Sequence, residues 1–467
     1  MAADTKQPVR PFGMADKIGY ALGDFGNDFT FMLSSMFMMK FYTDVMGVAP
    51  GIVGGLMMAA RFVDAVTDVT MGQIVDRSRP GRDGKFKPWI RRMCGPLGIS
   101  AFLMFQSGLA GMPMGFKIFW MFFTYLLWGS VFYTSVNIPY GSMVSAVSAD
   151  PNHRAQLSTY RSIGATMASL VIGTGTPLLA YEAAEGATVL SGSRMTLIAG
   201  VFAVCGIVCQ LLCCHLVKER VEIPQNTSKL NAGKMAKSIA ANRALLGMIA
   251  AAIMLLLGML GMSGMAPFVF PVFYNSASAQ SLSSLASNLA VLLICAPLAA
   301  KIAARTGKKE LSAVSCLLSA AVWLACLAVR PRNPLAFVGF YAVSYIGIGM
   351  FNTVIWAMIT DVIDDAEVKN GIREDGTIYS VYSFARKLGQ ALSSGMIGGL
   401  MTMIGYSDGV ALDPSAYPQV LEDIFNLSCI IPAIGLAAAA LSLFFIYPLS
   451  RKRVEENAEE LARRRNA

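Results

Sequence analysis

Apolar residues are gathered along this 467-residue chain in long blocks, separated by short polar stretches. The blocks run 17–44, 50–75, 90–111, 117–147, 155–182, 194–217, 244–274, 282–303, 310–329, 334–361, 377–405 and 423–449. A helix needs about 20 apolar residues to cross the hydrocarbon core of a bilayer, and every block reaches that length. The pattern therefore predicts about twelve membrane-spanning helices. Blocks longer than about 25 residues imply tilt or kinks rather than extra spans. Pro139 and Pro267 fall inside blocks, which packed membrane helices tolerate because neighbouring groups re-satisfy the freed backbone. The long polar interruption VKERVEIPQNTSKLNAGKMAKSIAANR, residues 217–243, divides six blocks from six.

Composition agrees with this reading. The chain is 55% hydrophobic and 14% charged, against about 25% charged in soluble domains. Placing the N-terminus inside puts most of the 38 Lys and Arg in the tails and the even-numbered loops, the positive-inside signature. The formal net charge of +9 is then topology and attraction to the cytoplasmic leaflet, not nucleic-acid binding. No cleavable leader is expected, because the first 16 residues are polar and the first block is too long for a leader's apolar core. Nine cysteines imply no disulfide framework. Cys205, Cys209 and Cys213 recur every four residues, beside Cys214 and His215. Such a face of thiols could bind a soft metal or pack as a stripe of small residues.

Six spans, a charged inner loop and six more spans match the major-facilitator plan, with substrate held between the halves near the midplane. The expected fold is an all-α integral membrane protein of two six-helix bundles, both termini cytoplasmic. The expected segments are a first bundle at 1–216, a cytoplasmic loop at 217–243, a second bundle at 244–449 and a solvated helical tail at 450–467, whose charges pair at i,i+4.

Charge at bilayer depth costs several kcal/mol and points to function. The deep charges are Asp24, Asp28, Arg61, Asp64, Asp68, Arg161, Arg386 and Lys387. In RFVDAVTDVTMG, the residues Arg61, Asp64 and Asp68 share one helix face. Two carboxylates one turn apart can offer oxygens to a hard cation such as sodium, with Thr67 or Thr134 helping. They can also share a proton, since like charges this close raise one pKa, or one of them can pair permanently with Arg61. Asp28 is suited to accept hydrogen bonds from vicinal sugar hydroxyls, with Arg161 and Lys387 as donors. Trp128, Tyr133, Tyr140, Tyr379 and Tyr382 offer faces for a sugar ring, although aromatic rings also pack and belt any membrane protein.

Two polar stretches predict a cytoplasmic gate. Gly72–Arg77, followed by Arg79, Arg82 and Lys85, resembles the superfamily's loop between helices two and three and places Asp76 and Arg77 beside a cation cluster. TDVIDDAEVKNGIREDG sets Asp361, Asp364 and Glu367 on one face, with Arg373 following. These acids are expected to face Arg77, Arg79 and Arg154; a solvated loop is the plainer alternative. GDFGND, with Asp24 and Asp28, also invites comparison with an intramembrane aspartyl protease. Ala21 stands where that motif needs Gly, and the chain contains no Tyr-Asp dipeptide. Soluble aspartic proteases likewise need two carboxylates to divide the acid and base work.

YALGDFGNDF, RFVDAVTDVTMGQIVDRSRPGRDGKFKPWI, YTSVNIPYGSM, STYRSIGA and TDVIDDAEVKNGIREDGTIYSVYSFARKLGQALSS occur in this order. Together they resemble the glycoside–pentoside–hexuronide:cation symporters, the branch of the major facilitators that includes the melibiose carriers. The resemblance covers essentially the whole chain. It implies that Asp64 and Asp68 form the cation site, with Thr134 near it and Thr67 between the two acids. It implies that Asp28, Arg161 and Lys387 bind sugar, with Tyr133 in the pocket; Asn137, Tyr382 and Ser383 are expected on the same side. Melibiose carriers have an Asp where this chain has Asn137, a Trp where it has Gly141, and an Asn where it has Thr67. The first two departures resemble the pentoside and glucuronide members, so an α-galactoside is not the expected substrate. Implied with the family are no enzymatic activity, no cofactor beyond a coupling Na+ or H+, and no metal beyond the possible Na+ site. Also implied are a small sugar or glycoside and a bilayer as partners, a monomer, and a place in the inner (plasma) membrane. A related branch carries lysolipids or other amphiphiles, and a pocket open to the membrane would favour that alternative.

Overall fold

The computed structural model describes residues 10–81, 83–184, 186–221, 242–371 and 375–466. We label its long helices α1 (Met14–Asp44), α2 (Pro50–Arg77) and α3 (Lys87–Met104). Then come α4 (Met114–Val147), α5 (Pro151–Ala180) and α6 (Gly192–Leu216). After the central segment come α7 (Arg243–Phe273), α8 (Ala277–Thr306), α9 (Lys308–Val329) and α10 (Pro334–Asn370). The last are α11 (Asp375–Met403), α12 (Pro418–Ile446) and α13 (Arg451–Asn466). Two short strands, Tyr181–Ala184 and Ala187–Leu190, pair between α5 and α6.

Among the described residues, α4 to α10 and α12 are long and apolar enough to cross a membrane, eight helices in all. α1, α2, α3 and α11 are helical as well but fall outside that set. Three of those four hold the charges singled out above. Outward-facing apolar side chains such as Leu197 and Val66, 69% and 67% exposed, fit a lipid-facing surface.

Side chains set the helix boundaries. Asp150 Oδ1 accepts from Asn152 N at 2.8 Å ahead of Pro151, and Asn333 Oδ1 accepts from Leu335 N at 2.9 Å ahead of Pro334. Both are N-caps followed by a proline that has no N–H to lose. Gly371, at φ 70°, closes α10 in the left-handed conformation.

The chain packs as two compact units. The first comprises Met1–Val48, Phe62–Glu182 and Leu190–Ser228; the second comprises Ala49–Arg61, Ala183–Val189 and Lys229–Ala467. In the first, α1 packs along α5 and α6, and α3 along α6 and α4. The α1–α6 contact is very close: a Cβ on Gly26 would lie 2.9 Å from Cys209 Cβ and 3.0 Å from Gly206 O. Cys209 and Cys213 of α6 therefore serve packing, their small side chains meeting Gly26 and Gly23 of α1. In the second unit, α7 crosses α12 in the same way, where a Cβ on Gly435 would lie 2.6 Å from Gly258 N. The second unit also takes in the start of α2, where Gly51 N donates to Thr402 Oγ1 at 2.7 Å.

The tail differs from its expected solvated state. On α13, Asn457 and Leu461 are buried at 4% exposure each, and Asn457 Nδ2 donates to Asp365 Oδ1 at 3.1 Å. Asp365 is fully buried and also pairs with Lys369 at 2.6 Å. One face of the tail helix docks on α10 while its charged faces stay wet.

Candidate functional site

Within the first unit, the acids of α2 meet a wide turn of α4. Residues Leu127–Tyr133 of α4 form a π-helical segment, a distortion that often accompanies functional sites. Ser130 Oγ donates to Asp64 Oδ1 at 2.6 Å. One turn on, Thr134 Oγ1 lies 2.8 Å from Asp68 Oδ1 and 3.2 Å from Gly129 O. Gly129 leaves this wall open, since a Cβ there would stand 3.5 Å from Asp64 Oδ1. Thr67 Oγ1 donates to Asp64 O at 3.2 Å within its own helix, so its hydroxyl proton is committed to the backbone. The assembled groups are two carboxylates, two hydroxyls and a carbonyl. They are hard oxygen donors of the kind that suit a hard cation or a proton.

Ser130 was not anticipated. Its signal was present in WGSVFYT: Ser130 and Thr134 are four apart, the spacing of Asp64 and Asp68. Two matched i,i+4 pairs on facing helices make two rungs.

α1 and α5 build a second cluster. Arg161 Nε donates to Asp24 Oδ1 at 2.9 Å. The guanidinium carbon lies 5.4 Å from the centroid of the Tyr140 ring. Tyr140 stacks on Tyr20 at 4.6 Å. Each of the two hydroxyls donates to the other residue's backbone carbonyl, Tyr140 at 2.6 Å and Tyr20 at 3.3 Å. This packing fixes the arginine's direction. Its two terminal nitrogens have no hydrogen-bond partner among the described residues, and a Cβ on Gly141 would come only within 3.9 Å of one of them. That nitrogen is the single atom within 4 Å of such a Cβ, so the space beside the guanidinium is open at Gly141. Asp28 lies one turn from Asp24, feels both Asp24 and Arg161 electrostatically, and accepts no hydrogen bond among the described residues. Asp24, undecided from sequence, is the partner that holds Arg161. Tyr133 packs against Phe31 and Trp128 at 5.6 Å each, and Asn137 is half-buried on α4.

In the second unit, α11 carries Tyr382, Ser383 and Lys387. Tyr382 is fully buried, and Ser383 and Lys387 are half-buried. Arg386 Nη1 donates to Tyr382 Oη at 3.4 Å and sits 5.7 Å from the Trp356 ring. Trp356 in turn stacks on Tyr379 at 5.4 Å. Trp356 is a second residue that sequence reasoning missed.

The gate residues have local partners. Asp76 O accepts from Lys85 Nζ at 3.0 Å, and Arg154 Nε donates to Ser148 O at 2.8 Å. Asp361 forms an ion pair with Lys308 at 2.6 Å. Asp364 and Glu367 are half-buried further along α10, and Arg77 and Arg79 are exposed. Arg373 and Arg82 lie outside the described residues.

A cavity of about 770 Å³ opens between α3 and α6, lined by Gly98, Ile99, Phe102, Thr196, Gly200 and Val204 among others. Its walls are almost wholly apolar, and none of the charged candidates lines it.

The description MFS/sugar transport protein matches residues 19–451. The glucuronide carrier protein homolog of Escherichia coli (strain K12) is 30% identical, the alignment covering 96% of this chain and 95% of that protein. The isoprimeverose transporter of Lactiplantibacillus pentosus is 28% identical over 95% of this chain and 93% of its own. The crystal structure of a bacterial homolog of the human lysosomal transporter Spinster, inward-facing and unoccupied, superposes with a TM-score of 0.65. That match is 11% identical and covers 96% of this chain and 97% of the other, a likeness of fold. The chain belongs to the MFS/sugar transport protein family, among the glycoside–pentoside–hexuronide:cation symporters.

Proposed function

We propose that this chain is a twelve-span secondary symporter that couples movement of a glycoside, pentoside or hexuronide to Na+ or H+ by alternating access. The observation that carries the reading is the pair of clusters in the first unit. One is a ladder of carboxylates and hydroxyls at Asp64, Ser130, Asp68 and Thr134. The other is an acid, Asp28, beside a guanidinium whose terminal nitrogens are unused. The ladder holds the coupling ion, with Thr67 beside it. Asp28 accepts from sugar hydroxyls, and Arg161, steered by Asp24, donates to the sugar. Tyr133 and Asn137 line that side, and Tyr382, Ser383 and Lys387 are the second unit's sugar-binding residues. Asp76, Arg77, Arg154, Asp361, Asp364, Glu367 and Arg373 are the proposed cytoplasmic gate, and both termini are cytoplasmic.

The mechanism follows from charge. An empty ladder leaves two carboxylates one turn apart at bilayer depth, which is costly. A monovalent cation removes part of that cost and organises the sugar side. Sugar and cation then raise each other's affinity by the same factor, as linkage requires. Only the empty and the doubly loaded forms reorient readily, so a cation gradient drives the sugar. A hexuronide is the first substrate to test, because a relative is named for glucuronide and the unused guanidinium nitrogens would suit a carboxylate.

Uptake of glucuronides, pentosides and other glycosides into vesicles under an imposed sodium or proton gradient tests the reading. Accumulation driven by one ion and abolished in Asp64→Asn supports it. Undiminished uphill accumulation in that variant would refute the coupling assignment.

A further inference from the structure

The polar segment after α6 begins by reaching back into the first unit. Glu219 meets three consecutive backbone N–H groups at the start of α3. Oε2 accepts from Lys85 N at 2.7 Å, and Oε1 accepts from Phe86 N at 3.0 Å and Lys87 N at 2.9 Å. A helix start leaves such donors without intrahelical partners, and its dipole favours a negative charge there. Gly84 shows how close the carboxylate lies. It has φ +104°, and a Cβ on it would stand 2.4 Å from Glu219 Cδ.

Arg220 binds in the opposite sense. Its guanidinium donates to both oxygens of Asp16, at 2.9 and 3.1 Å, and to the carbonyls of Arg10 at 2.9 Å and Val147 at 3.4 Å. Its backbone N–H donates to Ala146 O at 2.7 Å. Asp16 is fully buried and also accepts from Lys218 N at 3.1 Å.

We propose that Lys218–Glu219–Arg220 is a clasp that ties the starts of α1 and α3 to the C-terminal ends of α4 and α6, and that Glu219 is the positioning residue for the turn between α2 and α3. That turn carries Arg79 and follows Asp76 and Arg77; Lys85, whose N–H the clasp holds, returns its ammonium to Asp76 O at 3.0 Å. The consequence for transport rests on the symporter reading. A carrier that reorients by moving bundles as bodies needs each bundle's end to hold its shape, and three charge-assisted bonds supply this at one point.

Amide hydrogen exchange on the purified full chain, without substrate, tests the clasp directly. Glu219→Ala is expected to speed exchange at Lys85, Phe86 and Lys87 by about tenfold or more, with Glu219→Gln in between because it keeps one acceptor oxygen. Lys218→Ala is expected to leave these amides unchanged, since only its backbone is used. Exchange in Glu219→Ala within about twofold of the parent would overturn the proposal. If that variant does not fold, Gly84→Ala probes the same contact. Its effect is expected to be less than additive with Glu219→Gln, because the two residues touch, and strict additivity overturns the clasp. In vesicles, Glu219→Gln is expected to lower the maximal uptake rate several-fold with KM for sugar unchanged; an unaltered rate overturns the positioning role. Absence of uptake in the parent protein would count against the symporter reading alone, because the exchange measurement needs no substrate.

Discussion

Ser130 Oγ lies 2.6 Å from Asp64 Oδ1 across the α2–α4 contact. The hydroxyl is buried and donates to the acid most suited to a cation. A hydrogen bond to a charged group contributes about 1.5–3 kcal/mol. Ser130→Ala is therefore expected to alter cation binding rather than sugar binding. In a sodium titration followed by thermal shift, the half-saturating concentration should move by about tenfold or more. Sugar affinity measured at saturating sodium should stay near that of the parent protein. An unchanged sodium midpoint, with the pH dependence of sugar binding displaced instead, would assign the ladder to a proton.

The two acids of GDFGND separate by partner, and this separation is testable. Asp24 holds Arg161 at 2.9 Å, whereas Asp28 accepts no hydrogen bond among the described residues. Asp28→Asn should leave the protein as stable as its parent while weakening sugar binding by more than about tenfold, the loss of charge-assisted hydrogen bonds to the ligand. Asp24→Asn should lower both quantities, because it loosens a half-exposed arginine that must also face the sugar. Calorimetric Kd values and melting temperatures for the two variants separate the roles. Equal losses of stability in both would show that the acids act as one structural pair.

Much of this architecture was legible in the residue pattern, for identifiable reasons. Block length points to a bundle of membrane-long helices, because hydrocarbon thickness acts on local sequence. Asp28, Asp64, Asp68 and Arg161 stood out because charge in an apolar block needs explaining. Ser130 did not, since hydroxyls are common in packed membrane helices and this one gains meaning only when α4 is placed against α2. Asp24's role depended on a partner 137 residues away. Glu219 sits in a polar segment where a glutamate carries no local signal, and its three acceptor bonds come from 132 to 134 residues earlier. The tail looked solvated because its ion pairs repeat at i,i+4, while the single face holding Asn457 and Leu461 was outweighed by its charges.

That docked tail leads to a stability prediction. Asn457 donates to a fully buried carboxylate, Asp365, at 3.1 Å. Asn457→Ala leaves Asp365 with one hydrogen bond fewer, worth about 1.5–3 kcal/mol where a charge is involved. For a unit of this size that corresponds to a fall of about 3–12 °C in melting temperature. Sugar affinity should not change, since the residue touches none of the candidate ligands. A variant that melts with the parent protein would return the tail to a solvated role.

Asp16 sets the acid limit of the same kind of contact. Burial pushes its carboxyl up, but the Arg220 guanidinium and the N–H groups of Lys218 and Gly13 outweigh that and hold it below the usual 3.8. A carboxyl held low in the folded state contributes stability above its unfolded pKa and loses it as pH falls through the folded value. The Asp16–Arg220 contact should therefore be fully effective from neutral pH down to about 5 and fade only below the ordinary carboxylate range. Melting of the parent protein and of Asp16→Asn, compared from pH 7 to pH 3, should show a constant gap at the upper end. The gap should narrow below about pH 4, because Asn cannot lose a charge and the parent can. A gap that widened on acidification would mean that the carboxyl is raised in the folded protein, and that Arg220 is held by the carbonyls of Arg10 and Val147 rather than by Asp16.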